Sequence, residues 1–208
     1  MNKYLTEFIG AFFLVLTIGC VVILRGTGAI PPLAIGSALM VMIFAGGHVS
    51  GAHYNPAVTL AVWIRGRCAT KDLAPYWLAQ IIGAGLAAAA VGFLKGDAQV
   101  SAITVKAGPA LLAEFLFTFA LAYVVLNVAT AKGTSGNSFY GLAIGFTVMS
   151  GAFAVGPVSG AMFNPAVAVG ASLMGLSAWS NIWIYLVAEL LGALVAGLTF
   201  KFVNPEDK

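Results

Sequence analysis

The chain has 208 residues, of which 61% are hydrophobic and 8% charged, against about 45–50% and 25% in soluble domains. Its 10 basic and 7 acidic residues, 17 in all, cannot coat a soluble fold of this length, so a soluble enzyme, a disordered tail, a disulfide scaffold and a nucleic-acid binder are excluded. The net charge of +3 reads as Lys and Arg gathered in loops on one side of a bilayer.

A membrane helix needs about 20 apolar residues. In chain order, the predicted spans are Tyr4–Leu24, Pro31–Val49, Leu73–Leu94, Pro109–Thr130, Ser138–Val155 and Trp179–Val203. The first is too long for a signal-peptide core, and no Ala-x-Ala cleavage site follows it. Two shorter apolar pieces remain, Asn55–Ile64 and Asn164–Leu173. Each would be roughly 15 Å long as a helix, half a bilayer, and each follows a Gly/Ser-bearing stretch. They are predicted to be re-entrant half-helices. Cys20 and Cys68 fall in different segments and are expected to be unpaired.

Placing the N-terminus in the cytoplasm puts Lys3, Arg65, Arg67, Lys71, Lys132, Lys201 and Lys208 inside, and Arg25, Lys95 and Lys106 outside. That asymmetry predicts both termini in the cytoplasm, in a plasma (inner) membrane. All ten basic residues are expected outside the apolar core.

Residues 33–58 and 142–167 are identical at 16 of 26 positions at an offset of 109. The same offset pairs Gln80 with Glu189 and Gly83 with Gly192, and an offset of 107 pairs Glu7 with Glu114. Each half, 1–95 and 109–208, then holds three spans and one half-helix. Three is odd, so the second half is inverted relative to the first. The predicted fold is an all-α membrane protein, a single channel domain of six transmembrane helices and two re-entrant half-helices.

The sharpest repeated feature is the triplet Asn55-Pro56-Ala57 and its counterpart Asn164-Pro165-Ala166. Asn caps helices and Pro suits the first helical position. Inversion brings both helix N-termini to the midplane, each with an effective charge of about +0.5. Two Asn amides in that field disfavour cations and accept small neutral molecules with a lone pair. The approach segments before each triplet cannot be helical throughout. Carbonyls of Gly51, Ala52, His53, Ser159, Gly160 and Ala161 are expected to form an acceptor ladder along the lumen. Intramembrane Glu7, Glu114 and Glu189 read either as proton relays or as acceptors bracing these loops. The repeat places Glu7 and Glu114 as braces, with His48 as a further loop-bracing hydrogen-bonder. Gly83, Gly85, Gly192 and Gly197 suit close helix contacts. His48 and His53 have no third ligand beside them, so no metal and no cofactor are expected.

These residues resemble the major intrinsic protein family, the aquaporins and aquaglyceroporins. The resemblance covers essentially the whole chain and rests on both NPA triplets, on Ser50-Gly51 and Ser159-Gly160 before them, and on Glu7 and Glu114. It implies a passive channel, no enzyme, with one pore per subunit of a homotetramer in the lipid bilayer. Counting from the NPA asparagines, the family's four filter positions fall on Ile35, Ala152, Ala161 and Val167. Most members have arginine at the last, and water-selective members have histidine in the fifth span; this chain has neither. The acidic residue that glycerol facilitators carry after their arginine is replaced by Ala168. A wide, apolar filter for water, glycerol, urea, ammonia or hydrogen peroxide is expected. The rival readings are a proton-coupled inverted-repeat transporter working through Glu189 or His48, and a closed junction protein.

Overall fold

The computed structural model describes residues 1–23 and 30–207. Six apolar helices are long enough to cross a membrane. They are α1 (Asn2–Val22), α2 (Pro31–Ser50), α4 (Thr70–Lys95), α5 (Ala107–Val125), α6 (Tyr140–Ser159) and α8 (Ile182–Val203). Two short helices lie between them, α3 (Pro56–Arg65) and α7 (Pro165–Leu173). A π-helical turn, Leu126–Thr130, continues α5, and a 3-10 turn, Trp179–Asn181, leads into α8. Cys20 and Cys68 are free. Leu24, Arg25 and Lys208 lie outside the described residues.

Most boundaries agree with the hydropathy, and two differ instructively. Helices α2 and α6 run on to Ser50 and Ser159 before breaking, each at a left-handed glycine, Gly51 (φ 85°) and Gly160 (φ 92°). Pro157 sits inside the last turn of α6, where a proline removes a single helical hydrogen bond. Only four residues on each side, 51–54 and 160–163, therefore form the non-helical approach.

The halves interlock. Helix α1 packs on α4, α5 on α8, and α2 on α6, while α3 lies against α8 and α7 against α4. Small residues permit the crossings. A Cβ on Gly36 would lie 2.6 Å from the Gly145 carbonyl oxygen, and one on Gly145 2.5 Å from that of Gly36. Gly83 and Gly192 are equally tight against the Phe8 and Phe115 carbonyls, at 2.6 and 2.7 Å. Gly197 presses on Ile64, but Gly85 meets only Leu173 at 3.8 Å and takes no part in close packing.

Among the described residues one basic residue is inside. The Arg65 side chain is 2% exposed at the end of α3, paired at 2.6 Å with Asp207 and stacked over Phe200 with Cζ 4.6 Å from the ring centre. Its partner comes from the end of the chain, 142 residues away, so hydropathy could not place it.

Candidate channel site

Each half-helix begins as its sequence dictates. Asn55 is the N-cap of α3, its Oδ1 accepting from the Ala57 and Val58 N–H groups, with Pro56 in the first turn. Asn164 caps α7 by accepting from Ala166 N–H, with Pro165 following. Because each Oδ1 is committed to a cap, the orientation of each amide is set. The Asn55 Nδ2 donates to the Phe163 carbonyl at 2.8 Å, and the Asn164 Nδ2 to the Tyr54 carbonyl at 2.9 Å. The asparagines thus tie the two loops together reciprocally. An amide has two N–H groups, so each keeps one beyond this bond.

The loops hold strained backbone. Ala52 (φ 51°), Tyr54 (φ 52°), Ala161 (φ 52°) and Phe163 (φ 50°) are left-handed non-glycine residues, each costing about 1–3 kcal/mol and persisting only where its surroundings enforce it. Buried carboxylates enforce it here. Glu7, fully buried, accepts from Ser50 Oγ at 2.7 Å, His53 N at 2.9 Å, Tyr54 N at 2.6 Å and Gln80 Nε2 at 2.8 Å. Glu114, equally buried, accepts from Met162 N at 3.0 Å and Phe163 N at 2.7 Å. Neither residue faces the cavity below; both act on the loop backbone.

A cavity of about 310 Å³ runs past the asparagines. Asn55 and Asn164 line it, together with Ile35, Ala152, Ala161 and Val167. Leu14, Ile18, Leu39, Val148 and Leu121 form its apolar wall. Among the described residues no Asp, Glu, Lys or Arg side chain lines it. A wider vestibule of about 1140 Å³ opens beyond it, bordered by Lys3, Arg67, Cys68, Asp72, Lys132 and Asn137. The two spaces share Ile43, Ala52, His53, Val125 and Ile144 as lining residues, so they abut.

The carbonyls of Gly51, Ala52, His53, Gly160 and Ala161 belong to residues that line one or both spaces. Ser159 does not fit the expected ladder. It is fully buried, lines neither space, and its carbonyl accepts from the Tyr185 hydroxyl at 2.8 Å. In the first half Tyr76 does the same to Ser50, at 2.8 Å. The loop-bracing role expected of His48 also fails: the helix continues through position 48, the side chain is exposed at the vestibule, and no hydrogen bond joins it to the loop among the described residues. The histidine held in the loop is His53, buried, with Nδ1 3.2 Å from Thr59 Oγ1.

Several contributors leave little trace in the sequence. Tyr76 and Tyr185 are related by the same offset of 109, a signal present but easily passed over, because tyrosine is ordinary near membrane interfaces. Thr59 links Asn55, Gln80 and His53, with nothing in its apolar neighbourhood to mark it. Ser101 and Ile103 reach the cavity mouth from the segment between α4 and α5, fastened by Ile103 N–H to the Leu176 carbonyl at 2.9 Å. That segment lies outside the repeated motif.

Six membrane-length helices enclosing two half-helices that meet tip to tip beside a cavity lined, among the described residues, by no Asp, Glu, Lys or Arg define a channel. Residues 1–200 match the Major intrinsic protein family, and the chain belongs to that family, whose members are channels and not enzymes. It is 37% identical, over its whole length and 75% of the relative, to aquaporin NIP1-3 of Oryza sativa subsp. japonica. It is also 37% identical to glycerol uptake facilitator protein-like 6 of Lactiplantibacillus plantarum, with 100% of both chains covered. The crystal structure of the aquaglyceroporin from Plasmodium falciparum superposes with a TM-score of 0.83, covering 99% of this chain and 97% of that one at 22% identity; it is alike in fold.

Proposed function

We propose that the protein is a passive channel for water and other small neutral solutes, glycerol, urea, ammonia and hydrogen peroxide among them. The observation that carries this reading is the cavity that passes Asn55 and Asn164, lined among the described residues by no Asp, Glu, Lys or Arg, and that meets the vestibule. In it, 1–95 and 109–208 are inverted repeats, so the half-helices enter from opposite faces. Their N-termini and the spare Asn N–H groups present donors and positive potential at the midplane, which rejects cations. Free loop carbonyls on one wall replace a solute's water contacts while the apolar wall offers none. A relative named as a glycerol uptake facilitator agrees with a pore wider than one water.

Selectivity is assigned to Ile35, Ala152, Ala161 and Val167. An arginine at the last place would narrow the lumen, donate hydrogen bonds and add fixed charge; Val167 does none of these. Both termini are cytoplasmic in this reading, the membrane is the plasma membrane, and four copies assemble with one pore each. Swelling of proteoliposomes tests the core of it: water, glycerol and urea all pass without saturation or dependence on a pH gradient. Saturable, gradient-driven flux would instead identify a proton-coupled transporter. Val167→Arg cuts glycerol and urea flux more than water flux. An unchanged solute panel after that substitution removes Val167 from the filter.

A further inference from the structure

Position 189 breaks the repeat at its most buried polar site. In the first half Gln80 donates its amide to Glu7 at 2.8 Å and to Thr59 at 3.0 Å, holding the carboxylate that holds the loop. The equivalent residue in the second half is Glu189, and the equivalent of Thr59 is Ala168. Glu189 is fully buried, and neither of its carboxyl oxygens meets a hydrogen-bond partner among the described residues. The charged side chain beside it is Glu114, and the Asn164 N–H lies near its carboxyl without meeting hydrogen-bond geometry.

Among the described residues no cation offsets this pair. Helix α5 presents Glu114 to it. Helix α7 carries no titratable side chain, nor does the π turn 126–130. Helix α3 offers only Arg65, committed to Asp207 and Phe200. On α8 itself Tyr185 donates to the Ser159 carbonyl, and Lys201 is exposed in the last turn. Two buried carboxylates sharing a site without a counter-charge cannot both ionise. Glu114 already accepts two backbone N–H bonds, which stabilise it as the anion. The proton therefore belongs on Glu189.

We infer that Glu189 is carried as a neutral carboxylic acid that donates its proton in a hydrogen bond to the Glu114 carboxylate, replacing in the second half the amide that Gln80 supplies in the first. Glu189 is then a positioning residue. It acts through Glu114 on the Met162 and Phe163 N–H groups and hence on the loop bearing Ala161 and Asn164. It moves no proton across the membrane, because it lines neither the cavity nor the vestibule. The inference concerns the brace and holds whatever solute the pore passes; only its flux readout rests on the channel reading.

Infrared spectroscopy of the full-length protein in liposomes at neutral pH tests it. The expected result is a protonated-carboxyl C=O band that shifts in deuterated buffer and is lost in Glu189→Gln. Glu189→Gln, which keeps a donor, should retain the wild-type thermal midpoint. Glu189→Leu, which keeps volume but offers no donor, should lower it by about 5 °C. Water flux through wild-type protein should fall as alkaline buffer removes the proton, while flux through Glu189→Gln stays level. Absence of the band from wild-type protein at neutral pH overturns the inference even if no variant folds. So does a band that persists unchanged in Glu189→Gln, or a Glu189→Leu midpoint equal to wild type. Protein that shows the expected band yet passes no solute leaves the brace standing and refutes the channel.

Discussion

The two re-entrant loops have the same backbone and different support. Their left-handed residues fall at matching places, Ala52 and Tyr54 in one, Ala161 and Phe163 in the other, with φ between 50° and 52°. Each starts from a helix ending in serine and left-handed glycine, and each has a tyrosine hydroxyl on that serine's carbonyl. Yet the first loop carries a connected network, Glu7 to Gln80 to Thr59 to His53. In the second half those last three places are Glu189, Ala168 and Met162. The backbone geometry therefore does not need the whole network. It needs the carboxylate on the two loop N–H groups and the asparagine cap, which both halves possess. What the additional bonds of the first half set is a side chain: they hold the His53 ring where the cavity meets the vestibule.

The largest expected effect contrasts the two carboxylates. Glu7→Ala orphans four donors and should cost about 4 kcal/mol or more of stability, whereas Glu114→Ala orphans two backbone N–H groups and the proton inferred on Glu189 and should cost less, about 2–4 kcal/mol. Thermal unfolding in detergent measures both, and equal losses would mean that Ser50 and Gln80 add nothing to the first brace. A smaller effect is expected from Thr59→Ala, which gives the first half the residue of the second. It should cost about 1 kcal/mol and change solute flux by loosening His53 while leaving the loop backbone intact. A collapse of flux as complete as that of Glu7→Ala would show that the network does set the backbone.

The smallest effect lies away from both loops. The Lys132 N–H at 2.8 Å, and then Arg65, hold the Asp207 carboxyl below the usual carboxylate range. A carboxylate depressed on folding stabilises the protein fully above its ordinary range, and that contribution is lost as pH falls through the lowered value. Asp207→Asn should therefore flatten the acid limb of the pH–stability curve and leave the alkaline limb unchanged. An unaltered acid limb would mean that this contact at the chain end does not contribute to stability.

Spans, half-helices and the Glu7–Glu114 correspondence were legible in the sequence because each is local or periodic: a bilayer demands apolar runs of set length, and Asn-Pro is a helix start wherever it occurs. What could not be read was which polar groups find each other. His48 and His53 are five residues apart in similar surroundings, and only the point at which α2 ends decides that His53 enters the loop while His48 faces the vestibule. The Ser159 carbonyl is not free because Tyr185, which takes it, lies 26 residues along the chain, beyond the reach of any local pattern. Arg65 looks like a loop charge in the sequence because its partner is 142 residues away. Sequence alone determined the elements and the asparagines on which they turn. The tertiary structure decided the pairing of buried donors and acceptors, because in an apolar interior such a group must find a partner at hydrogen-bond distance however far away in the chain that partner lies.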